Sequence, residues 1–326
     1  MKKTLLVILL LGINYAIMQA SIWRVNNVPG VAADFKTLQG AIDTAQAGDT
    51  LYVEGTQFDY GNIEIAKKLV IYGPGYFLDE NDSTHINQLN ATIGITNFNE
   101  GSDGLKCYGL YFTGRVQIYS DNSKFEGNNF DKDVWLRDIN GCTYQKNYHT
   151  DRLRLYNSLN VVVKNNIINY ISGKSDCSAI IYNNTVENEI SVHNSDIRNN
   201  IIYRSCVGCG QGVDENTGNI IKYNLVCKDD KPDDPTNQIV EQETLFVGDP
   251  NNVSEDYSTD GRYKLASGSP ATGAGENGID CGAYGGSTPY KLSGLPPIPH
   301  IYEATIPASA SGESGLPVTV KIKTKL

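Results

Sequence analysis

Arginines and aromatic rings fall together on one face that spacing alone can derive. Val116, Val134, Leu153, Ile171 and Ile190 follow one another at 18, 19, 18 and 19 residues. In a chain of stacked strands these five point inward, and their alternate neighbours point outward. The outward neighbours form three columns. The first is Arg115, Asp133, Arg152, Tyr170 and Glu189. The second is Gln117, Trp135, Arg154, Ser172 and Ser191. The third is Tyr119, Arg137, Tyr156, Lys174 and His193. Rings offer flat apolar platforms, and guanidinium groups offer planar forks for carboxylates or sulfates. Tyr119, Trp135, Arg137, Arg152, Arg154 and Tyr156 are therefore the expected substrate-binding residues, and a long saccharide, especially a uronate or sulfated one, is the expected partner. The same side chains could instead satisfy one another by stacking and by ion pairs such as Asp133 with Arg115 or Arg152, a purely structural ladder that would suit a non-catalytic surface adhesin or scaffold.

Chemistry on such a face would be elimination before hydrolysis. β-Elimination from a uronate needs a base beside the C5–H and a cation at the carboxylate. Lys174, Arg154 and His193 are the catalytic candidates, His193 because it can titrate. Asp133 and Glu189 could hold a cation, with Ca²⁺ the possible cofactor. A glycosidase would need clustered carboxylates, and only Asp133, Asp138 and Glu189 lie near. Asp133 and Glu189 are three turns apart, about 14 Å at strand spacing, too far for either glycosidase geometry. His149 reads as a corner residue.

Positioning these columns requires a solenoid, and a second repeat supplies one. Asn128, Asn147, Asn166, Asn184, Asn200 and Asn224 each stand three residues after an apolar or aromatic residue, in the phrases GNNF, KNYH, KNNII, YNNTV, RNNII and KYNLV. A period near 20 is too short for a helix pair and fits one turn of short strands. Asn tolerates left-handed backbone at a corner, and stacked amides can hydrogen-bond from turn to turn. The fold class is therefore all-β, a single-stranded parallel solenoid. One helix is expected at 34–47, capped by Asp34, with Leu38, Ala41, Ile42 and Ala45 as its apolar stripe and Gly48 as its stop. It would cover the open end of the first coil, before a strand with Leu51 and Val53 on one side.

The phrase FKTLQGAIDTAQAGDTLYVEGTQF, from Phe35 to Phe58, resembles the N-terminal cap and first coil of right-handed parallel β-helix proteins of the pectate-lyase-like superfamily. The NNI-type repeats resemble their coils, and YKLASGSPATGAGENGIDCGAYGG, from Tyr263 to Gly286, resembles the closing segment of many secreted bacterial β-helix proteins. The resemblance implies a right-handed β-helix. It leaves the activity open, because that fold carries lyases, hydrolases, esterases, epimerases and adhesins. Glu187-Asn188-Glu189 is similar to an acidic pair of one alginate and chondroitin lyase group; the Lys expected shortly after it is missing, and His193 lies near that place.

The remaining features bound the setting. Residues 1–20 read as a secretory signal peptide, Lys2-Lys3 followed by an apolar run from Thr4 to Leu11, so a secreted or periplasmic location is expected, with the cell surface also open. No later segment reads as transmembrane. The 326 residues carry a formal charge of −10, which argues against nucleic acid. Between Lys106 and Lys164 nine Lys/Arg oppose six Asp/Glu, whereas from Lys228 to Asp280 twelve acids oppose four bases. The seven cysteines include one CxxC, Cys206 to Cys209, read as structural disulfide or buried thiol, and Cys209 and Cys227 stand one turn apart. Loops are expected at 79–99 and 228–238, where Asp229, Asp230, Asp233 and Asp234 could bind calcium. The domain would run from 21 to 290, with a Pro-rich extension at 291–326 ending in a strand through Val318, Val320 and Ile322.

Overall fold

A computed structural model describes residues 20–204, 218–227, 233–250, 256–309 and 315–324. The signal-peptide segment, Cys206, Cys209, Asp229 and Asp230 lie outside the described residues. The chain is an all-β parallel solenoid of about eight turns. One ten-stranded sheet runs from Ile22–Val25 through Ser123–Glu126 to Ile220–Lys222, and a second, thirteen-stranded sheet lies against it, every pairing within them parallel. In the middle coils the second sheet bends. Tyr148–Tyr156, Ile167–Gly173 and Thr185–Ser191 each supply a short segment after the corner and a longer one beyond a register shift. That longer segment carries the three columns.

The strands form because β-branched and aromatic residues alternate with polar ones at period two. Val116, Val134, Leu153, Ile171 and Ile190 are each at most 1% exposed and stand opposite one another in register. Between the sheets, Phe112 and Phe130 stack at 4.9 Å, and Phe98 and Phe125 meet edge to face. Cys107, Cys142, Cys177 and Cys281 are buried free thiols.

The asparagines form a ladder inside the corner, all of them buried. Each Oδ1 accepts the backbone N–H of the corner residue one turn earlier, Leu110 at the first rung and an Asn at the others: Asn128 from Leu110, Asn147 from Asn128, Asn166 from Asn147, Asn184 from Asn166, Asn200 from Asn184 and Asn224 from Asn200, all at 2.9–3.0 Å. Each Nδ2 donates to a carbonyl of its neighbourhood, as Asn166 does to Tyr144 O at 3.0 Å. Two expectations change here. The left-handed residue is the one before the ladder Asn: Gly127, Lys146, Asn165, Asn183, Asn199 and Tyr223, with φ between 53° and 66°. The ladder also continues to Asn237, whose Oδ1 accepts Asn224 N. That rung, with its strand Gln238–Ile239, falls in the expected 228–238 loop, because its step of 13 residues breaks the repeat.

The helix is shorter than expected, Leu38–Thr44, with Thr37 as its cap through Oγ1 and Gly40 N. Asp34 instead accepts Arg24 N and pins the entering chain. Leu38, Ala41, Ile42 and Ala45 do enter the core beside Leu51 and Val53. The expected 79–99 loop contains two strands, Thr92–Ile93 and Thr96–Phe98.

After the last coil the chain turns back as a strap along the Asn corner. Gly282 N donates to Asn199 O, Ala283 N to Thr185 Oγ1, and Asn165 Nδ2 to Ala283 O. Packing continues past 290: Tyr76 N donates to Ser293 O, and Gly294 sits where a Cβ would come 2.2 Å from Tyr76 Cε1. Beyond it, His300–Thr305 and Thr319–Lys323 pair as two antiparallel strands, with Val318, Val320 and Ile322 exposed. Among the described residues no helix is long and apolar enough to cross a membrane.

Candidate functional site

The outward face of the second sheet spans Val116–Ile118, Val134–Arg137, Tyr148–Tyr156, Ile167–Gly173 and Thr185–Ser191. Pairing sets Gln117 beside Trp135, Arg154, Ser172 and Ser191 in turn, and Arg152 beside Tyr170 and Glu189. Arg137 pairs with Tyr156. Parallel, in-register strands hold these side chains in vertical files, because each inward neighbour is fixed in the core.

Trp135 is the centre of the face. The guanidinium carbon of Arg137 lies 4.1 Å from its ring centroid, that of Arg115 lies 4.8 Å away, and Tyr156 meets it edge on at 6.0 Å. Its indole N–H donates to Asp133 Oδ2 at 3.2 Å, and the same oxygen accepts Arg154 Nε at 3.0 Å. Arg137 also lies over Tyr156, Arg152 over Tyr170, and Lys174 Nζ over Tyr156. Tyr119 donates to Gln117, which donates to Asn97. The six expected binding residues thus share one face, with Arg115 and Tyr170 completing the ring-and-cation contacts. The column register marks both positions, but only contact with Trp135 and Arg152 gives them a part in the site. Beside them a shallow depression of about 470 Å³ is lined by Arg115, Gln117, Lys132 and Asp133.

The other candidates separate. Arg154 is held by Asp133, Lys174 leans on Tyr156, and His193 gives its backbone carbonyl to Ser195 Oγ. Asp133 and Glu189 stand on rungs separated by those of Arg152 and Tyr170, so one ion cannot bridge them. Burial pushes the Glu189 carboxyl up, against the pull of a Ser191 hydrogen bond and the charge of Arg152. Asp138 accepts from Asn157 at a left-handed corner, away from both. Among the described residues no three His, Cys, Asp or Glu gather as a metal site. Asp234, one of the four acids proposed for calcium, accepts from Thr236 and faces Lys222 at 3.7 Å. His149 is wholly buried between Tyr144 Oη and Lys132 O, and its imidazole is lowered to about 4 by burial. What the face offers chemically is aromatic rings with guanidinium groups stacked against them, those of Arg115, Arg137 and Arg152 without an ion pair among the described residues.

No protein-family model matches the chain, and no curated protein matches it in sequence.

Proposed function

We propose that this chain is an exported right-handed parallel β-helix protein of pectate-lyase-like type that recognises an extracellular polysaccharide along its Arg/aromatic face. One observation carries the reading: Trp135 and Tyr156 lie on a partly exposed sheet face with the cationic groups of Arg115, Arg137 and Lys174 against their rings. Sugar rings bind such platforms through their apolar faces, while guanidinium edges take hydroxyl or carboxylate oxygens. The register favours a long ligand over a small one, since the face repeats from turn to turn where a pocket for a small molecule would close. The alternative, a lyase working through Lys174, Arg154 and His193, draws support from the same cations, but Arg154 already neutralises Asp133.

The test is direct. Replacing Trp135 and Arg154 together with Ala should weaken retention on an immobilised polysaccharide by about tenfold or more, from lost stacking and hydrogen bonding. Thermal stability should shift little, since neither side chain lies in the core. Unchanged retention would remove the face from the function. Absorbance near 235 nm, followed with pectin, alginate, chondroitin and heparin with and without Ca²⁺, decides between the two readings: a rise means elimination, a flat trace with retention means recognition alone.

A further inference from the structure

Five Lys or Arg side chains stand in the three columns, and they are not equivalent. Arg154 has a carboxylate partner in Asp133. Arg115, Arg137, Arg152 and Lys174 form no ion pair among the described residues and lie against rings instead. Arg137 Nε is shielded from solvent and has no hydrogen-bond partner. Four cations without an ion-pair partner thus gather on one face of a chain whose net charge is −10.

Their order is regular. Arg115 stands on the first rung in the first column, and Arg137 on the second rung in the third column. Arg152 returns to the first column on the third rung, and Lys174 to the third column on the fourth. Positive charge therefore changes flank at each rung, and each rung advances by about 4.8 Å. Arg115 and Arg137 both lean over Trp135, which brings the two flanks towards the central column. The alternation has two ends. The rung before Arg115 carries Ile95, Asn97 and Asn99 and no charge, and the rung after Lys174 places Glu189 where the next cation would stand.

We infer that the face reads a four-residue stretch of an extended, diequatorially 1,4-linked polyuronate lying along the solenoid axis. In such a ribbon each sugar turns over relative to the last and advances by about one strand spacing, so successive carboxylates point to opposite flanks. They meet Arg115, Arg137, Arg152 and Lys174 in turn. A guanidinium stacked on a ring keeps its in-plane N–H groups free for a carboxylate, so the cation–π contacts preorganise the donors. This rests on the saccharide-binding reading and adds charge, linkage and length to it.

Calorimetric titration of the full mature chain with defined oligosaccharides separates the two. The β-1,4-mannuronate hexamer should bind at least about tenfold tighter than both cellohexaose, the same ribbon without charge, and the α-1,4-galacturonate hexamer, equal in charge but differently wound. A mannuronate tetramer should bind nearly as well as the hexamer and a dimer much more weakly. Arg137→Gln and Lys174→Gln should each lower affinity for the hexamer, while Lys124→Gln on the other sheet should not. Equal binding of mannuronate and galacturonate would overturn the register, as would tighter binding of a chondroitin sulfate hexasaccharide. Cellohexaose binding as tightly as mannuronate would overturn the charge reading and leave saccharide recognition standing. Binding of none of them would overturn both.

Discussion

At the scale of single residues, the ladder asparagines and His149 show how much a buried polar group must satisfy. Asn166 accepts from Asn147 through both backbone and side chain, and donates to Tyr144 O and to Asn184. Leucine fills a similar volume but leaves Asn147 N without its acceptor and removes the amide donor to Tyr144 O. Asn166→Leu should therefore cost about 2–4 kcal/mol in denaturant unfolding. Asn237→Leu, at the last rung, should cost less, because it serves a single neighbouring rung. Equal losses would mean that the ladder does not act as a chain. His149 makes a different demand. Its imidazole titrates near 4 in the fold, against an ordinary value of 6.5. Between those values the unfolded chain takes up a proton that the folded chain refuses, so stability falls as pH drops from 6.5 to 4 and is flat in this contribution on either side. The total is about 3 kcal/mol. His149→Gln should flatten that part of the pH–stability profile, with unfolding at pH 7 and pH 4.5 as the comparison.

At the scale of elements, legibility followed periodicity. The inward strand residues and outward columns could be read because side-chain direction alternates with period two and the turn length is nearly constant. The ladder could be followed while its steps stayed between 16 and 24 residues, and it was lost at the 13-residue step to Asn237. The left-handed position was read one residue late, because in KNNII and RNNII both corner residues are Asn; Gly127 in GNNF holds the information. The helix start was misplaced because Asp34 and Thr37 are both good caps, and Asp34 is drawn away by Arg24 N. The strap could not be read, since its contacts join residues about a hundred positions apart with no repeat to align them. Its far end is locked by Asp260, 0% exposed, which accepts from Ser293 N at 2.7 Å, Asn81 Nδ2 and Ser258 Oγ at 3.1 Å and Tyr290 Oη at 3.2 Å. Asp260→Ala strips buried Ser293 N of its acceptor and takes one partner each from Asn81, Ser258 and Tyr290, which keep Ser293 Oγ, Asn81 Oδ1 and Tyr76 Oη. It should loosen the strap by about 3 kcal/mol or more, seen as faster proteolysis between 261 and 295 while the coils stay protected. Uniform loss of protection would place the strap inside the solenoid's own cooperative unit.

At the scale of the whole molecule, a solenoid is a ruler: its turns fix the spacing of whatever it displays, and sequence decides where the display begins and ends. Here the display is charge. The acidic chain repels anionic polymers in general, and salt screens that repulsion together with the attraction of the face. Selectivity must therefore come from local order, and the order stops at Glu189, the acid in the column where a fifth cation would continue the alternation. Glu189 is half-buried beside Ser191 and makes no ion pair among the described residues, so its replacement removes no bridge that holds the fold. Glu189→Arg would carry the pattern one rung further. The expected result is a gain of about three- to tenfold in affinity for a mannuronate hexamer, with the tetramer unchanged, because the shorter ligand already fills the four existing rungs. An equal gain for both lengths would mean that added charge acts through the general field, and the ruler would then not be the source of selectivity.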